Sequence, residues 1–111
     1  MNTLTLNDRQ VPLDQDGFLA DLQDWSREVA EALALNEGIP LTPEHWEILV
    51  LLRRFHEQYA LSPATRPLVK YVALNLGADK GNSAYLNRLF NGTPAKLAAK
   101  LAGLPKPTNC I

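Results

Sequence analysis

The sequence predicts a mainly α-helical fold: a compact bundle of about five helices with a small N-terminal β-hairpin and a flexible C-terminal arm. Three observations carry this. Thr42-Pro43 and Thr93-Pro94 each set a capping hydroxyl before a proline at a first helical position. Apolar residues recur every three or four positions from Leu22 to Leu101. The periodicity stops at Gly103, and Pro105 and Pro107 then forbid helix.

The hairpin is read over 1–16. Leu4 and Leu6, then Val11 and Leu13, alternate with polar residues about the turn-prone pair Asn7-Asp8. Pro12 belongs on an edge. A first helical stretch runs from about Leu19 to Asn36, with Leu22, Trp25, Val29 and Leu33 on one face. Asp24 is a candidate cap inside it, and Gly38 stops it. The second begins at Thr42-Pro43-Glu44 and carries an Ile48, Leu52, Phe55, Tyr59 stripe that Trp46, Leu49 and Val50 broaden. So wide an apolar surface predicts the central, most buried helix. The third takes Ser62 or Thr65 as its cap, buries Leu68, Val72 and Leu76, and ends at Gly77. A short fourth starts at Asn82 or Ser83, carries Tyr85, Leu86, Leu89 and Phe90, and breaks at Asn91-Gly92. The fifth runs from the Thr93 cap to Gly103, with Leu97 and Leu101 inward. The domain is thus 1–103, and 104–111 is an arm whose seven residues from Leu104 to Cys110 reach roughly 20 Å at the ~3.3 Å per residue of extended chain.

With 111 residues, 46% of them hydrophobic and 21% charged, the chain has the composition of a soluble globular domain. No apolar run approaches the ~18 residues of a membrane span, and no cationic, apolar leader opens the chain, so a cytoplasmic location is expected. The net charge of −1 hides a division. Residues 1–57 hold eleven acids against four arginines, whereas from residue 58 onward seven basic groups face Asp79 alone. A basic C-terminal half suits an anionic partner or a segregated, solvated surface.

Familiar catalytic signatures are missing. His45 and His56 stand eleven residues apart on one predicted helix, too far to share a metal, and no metal-ligand spacing, phosphate loop or nucleophile elbow occurs. One histidine is read as a packing or capping group and the other as a surface group. The corner over 65–90 has a helix-turn-helix layout in which Arg66, Lys70, Lys80 and Arg88 meet phosphates, giving one alternative: a regulatory or DNA-binding protein with a redox-sensing thiol. That thiol is Cys110, the only cysteine, one residue from the end and beyond two prolines. There it escapes the usual fate of a free cysteine, burial as a small hydrophobe. Prolines limit the disorder of the arm, so docking it in a partner loses less entropy than docking a glycine tail would. The Ile111 carboxylate disfavours the thiolate, and Lys96, Lys100 and Lys106 favour it.

The segments "EGIPLTPEHWEIL", "SPATRPLVK", "GNSAYLNRLF" and "GLPKPTNCI" together resemble the DsrC/TusE family of small sulfur-relay proteins, from "DGFL" to the last residue. The resemblance implies a helical bundle with an N-terminal hairpin and a C-terminal arm. Family members serving dissimilatory sulfite reductase carry a second cysteine eleven residues before the penultimate one; here that position is Ala99. The departure implies a one-thiol carrier of the TusE type, which accepts sulfane sulfur as a persulfide on Cys110 and passes it on without metal or organic cofactor. It further implies a TusBCD-like donor complex and an MnmA-like tRNA thiouridylase as receiver, for 2-thiolation of wobble uridine. A protein partner is preferred over direct tRNA contact for the basic half, with Arg66, Lys70 and Lys106 as candidate partner or arm contacts. A regulator of sulfur enzymes that carries no sulfur is the remaining alternative.

Overall fold

Asn7 takes φ +55, a left-handed conformation that asparagine tolerates, and this closes β1 (Asn2–Leu6) onto β2 (Arg9–Leu13). The antiparallel register pairs Leu4 with Val11. Leu4, Val11 and Leu13 are buried, so one face of the hairpin covers the helical body. The structure is a computed structural model that describes residues 2–107.

The helices are α1 (Arg27–Asn36), α2 (Pro43–Tyr59), α3 (Thr65–Leu76), α4 (Ser83–Leu89) and α5 (Pro94–Leu101). Between β2 and α1 lie a bridge from Leu13 to Leu19 and a single 3-10 turn, Leu22–Asp24. The first helix therefore begins eight residues later than its periodicity predicts. Its cap is Ser26, whose hydroxyl accepts from the Val29 amide. Asp21 caps the 3-10 turn, and Trp25, in extended backbone, lies outside any helix.

In α2 the predicted Thr42 cap is present, and His45 completes a reciprocal capping box. Its Nδ1 accepts from the Thr42 amide at 3.2 Å, so the ring proton resides on Nε2, which donates to the Leu89 carbonyl at 2.8 Å. One buried imidazole thus ties the start of α2 to the end of α4. His56 lies in the last turn of α2, where the helix dipole favours a basic group.

The most buried helix is α5, not α2. It packs against each of the other four helices and buries Pro94, Ala95, Leu97, Ala98, Ala99 and Leu101. Alanines let neighbouring helices approach it closely, whereas α2 leaves Val50 and Tyr59 about half exposed at 46% and 51%. The core around it contains Phe18, Ile48, Leu52, Leu68, Leu86 and Phe90. Neither predicted hydroxyl caps α3. Its N-cap is Ala64, with no side-chain bond, and Ser62 is used elsewhere. No helix of the described residues is long and apolar enough to cross a membrane.

Candidate functional site

Because α5 leads directly into the cysteine-bearing tail, its C-terminus sets where that tail departs. The last carbonyls of a helix have no partner within it, and here each receives a donor. The Leu104 amide bonds the Ala99 carbonyl at 3.0 Å and the Gly103 amide bonds that of Lys100 at 3.1 Å, the double bond of a Schellman turn. Gly103 makes this turn at φ +74. Trp25 Nε1 donates to the Leu101 carbonyl at 3.0 Å, and Arg53 Nη1 to that of Ala102 at 2.6 Å. The Arg53 guanidinium also lies 3.9 Å over the Trp25 ring, so the two donors brace one another. Burial lowers the Arg53 pKa from its usual value and Glu57 opposes this. An arginine keeps its charge under such a shift, and the cation complements the negative end of the α5 dipole.

The chain beyond is fastened as far as it is described. Leu104 is a core residue at 3% exposure, Ser62 Oγ donates to the Pro105 carbonyl at 2.6 Å, and Pro107 is buried. Lys106 Nζ lies 3.5 Å from Asp16 Oδ2 at an exposed, weak ion pair. Ser62→Ala removes the hydroxyl that holds the Pro105 carbonyl. We expect a loss of about 1 kcal/mol, read as faster hydrogen exchange at the Leu104 amide with an unchanged helical circular dichroism spectrum.

Cys110 lies outside the described residues, as does the end of the predicted arm. Covalent geometry still bounds the thiol: three residues past Pro107, its Cα is within about 11 Å of the Pro107 Cα at 3.8 Å per step. Ala99 is wholly buried within α5.

The segregated charges meet in space. Each of the three ion pairs among the described residues joins a lysine of the second half to an acid of the first: Lys80 to Glu47 at 2.6 Å, Lys100 to Glu37 at 3.2 Å and Lys106 to Asp16. The Glu47 hydrogen bond raises the Lys80 pKa. Arg66 and Lys70 have no such partner among the described residues. They border a groove of about 660 Å³ along α3, lined also by Thr65, Pro67, Val69, Ala73 and Ser83. Sequence reasoning singled out Arg66, Lys70 and Lys106. It missed Trp25, Arg53 and Ser62, whose roles depend on residues 43 to 76 positions away. The only local signal was an arginine and a tryptophan at helix-compatible positions.

Comparison with known proteins places this architecture. The family model described as DsrC like protein matches residues 5–111. A protein of Haemophilus influenzae named sulfurtransferase TusE homolog is 51% identical over 97% of this chain and 99% of its own. Sulfurtransferase TusE of Escherichia coli K12 is 47% identical with the same coverage of both chains. Among solved structures, DsrC of Allochromatium vinosum superposes with a TM-score of 0.89 at 44% identity, covering 99% of this chain and 98% of that one. The oxidised γ-subunit of dissimilatory sulfite reductase from Archaeoglobus fulgidus gives 0.85 at 41% identity, covering 99% of this chain and all of its own.

Proposed function

This chain belongs to the DsrC-like protein family, and from that premise we propose that it is a one-thiol sulfur carrier, a sulfurtransferase whose working residue is Cys110. The observation that carries the reading is similarity, at 47–51% identity along nearly the whole chain, to sulfurtransferases named TusE, in a chain whose single cysteine is the penultimate residue.

The chemistry is thiol exchange. The Cys110 thiolate attacks the outer sulfur of a donor cysteine persulfide, the donor S–S bond breaks, and the donor leaves as a thiolate. A new S–S bond forms on Cys110, the persulfide proton stays on the transferred sulfur, and nothing is oxidised or reduced overall. Delivery repeats the step with Cys110 as the leaving thiolate. A TusBCD-like complex is the proposed donor, and an MnmA-like tRNA thiouridylase the receiver. The carrier itself need not touch tRNA. With alanine at 99 there is no second thiol in the chain, so the sulfur must leave to another protein. The described body supports the role by fixing the chain at Leu104 and Pro105, so that the segment bearing Cys110 starts from one fixed point.

Intact-mass spectrometry after incubation with a persulfide-loaded donor is the test. One added sulfur on the wild-type chain supports the proposal; an unmodified chain beside a fully loaded donor sinks it.

A further inference from the structure

The outer surface of α3 joins apolar and basic character in a way the core does not require. Arg66, Lys70 and Leu74 follow one another at four-residue spacing, which stacks them along one helix face. All three are exposed, Leu74 at 81%. Val69, Ala73 and Pro67 line the groove beside them. The groove wall is set by close backbone approach: a Cβ at Gly81 would lie 2.3 Å from the Ala73 Cα, so only glycine lets the loop before α4 press against α3. The Gly81 amide further bonds the Gly77 carbonyl at 2.9 Å.

The geometry points to a preformed docking groove on α3 for an acidic, partly apolar protein segment of a relay partner, an inference that rests on the sulfur-carrier reading. Charge complementarity selects this occupant. Lys80, Lys100 and Lys106 are each spent on an acid of the chain's own first half, while Arg66 and Lys70 stand on the groove's rim with none among the described residues. The apolar lining selects a protein rather than RNA: among the described residues that line the groove there are two cations and no aromatic ring on which a base can stack. Position agrees as well. Ser62, which holds the Pro105 carbonyl, is three residues before Thr65 at the groove's edge, so a partner seated there lies beside the point where the tail departs.

The test uses the full chain carrying Cys110→Ser, so that no sulfur chemistry enters. Its binding to the purified donor complex and to the purified thiouridylase is measured with and without Arg66→Glu plus Lys70→Glu. We expect the double reversal to weaken binding of at least one protein by on the order of tenfold or more, mainly through slower association, with high salt weakening the unreversed chain likewise. Arg66→Gln plus Lys70→Gln, which introduces no repulsion, should fall between. Circular dichroism identifies any variant that fails to fold, and the glutamine pair then decides. Unchanged affinity for both proteins overturns the groove, as does a reversal that lowers only tRNA retention. Sulfur loading of the wild type by a small-molecule persulfide is scored separately. Loading with unchanged partner affinity removes the groove and leaves the carrier; lost affinity without loading removes the carrier and leaves the groove.

Discussion

Cys110→Ser is expected to abolish sulfur loading completely. The attacking species in persulfide exchange is a thiolate, and a serine hydroxyl neither ionises near neutral pH nor attacks sulfur to form a stable product. No other cysteine stands in the chain to substitute for it. Every helix, strand and core side chain of the described fold precedes residue 108, so the variant should melt at the wild-type temperature. Intact mass after exposure to a loaded donor reads the chemistry, and the melt reads the fold. A serine variant that still gains sulfur would move the carrier site off Cys110.

A large loss of stability is expected from a single methyl group at Gly103. At φ +74 an L-residue carries a left-handed penalty of about 1–2 kcal/mol. The added Cβ would also lie 2.1 Å from Trp25 Cδ1. The indole is poorly placed to yield, since its Nε1 is bonded to the Leu101 carbonyl and Arg53 covers its ring. Overpacking of this kind adds about 1–3 kcal/mol. Gly103→Ala should therefore lose about 3 kcal/mol, seen as a lower denaturant midpoint with an unchanged slope. A loss under about 1 kcal/mol would mean that the Trp25 ring swings aside at little cost, and that the brace at the end of α5 is weaker than its hydrogen bonds suggest.

Much of the fold was legible because its signals are local. Asn7 turns the hairpin, Thr42-Pro43 opens α2, Asn82 caps α4 through the Tyr85 amide, and Gly103 ends α5, each acting within a few residues of itself. What escaped was set by distant partners. Trp25 falls at helical spacing from Leu22 and Val29, yet its indole serves the Leu101 carbonyl, 76 residues on. Ser62 looks like a helix cap and instead holds Pro105. Apolar breadth pointed to α2 as the central helix; the small residues of α5 won that place because alanine permits closer packing than leucine or valine. The charge halves were visible in the sequence, but their mutual neutralisation through three lysines was not. Of the candidate site, the sequence offers Cys110 by its position, which lies outside the described residues, whereas the Trp25–Arg53 brace required the fold.

A sulfur carrier must both take sulfur and give it up to another protein. The most direct measurement is a single turnover: persulfide-loaded wild-type carrier, freed of donor, is mixed with the thiouridylase and both chains are weighed over time. One sulfur is expected to leave Cys110 as one appears on the thiouridylase. Sulfur that stays on the carrier, or departs as sulfide while the thiouridylase remains unmodified, would contradict it.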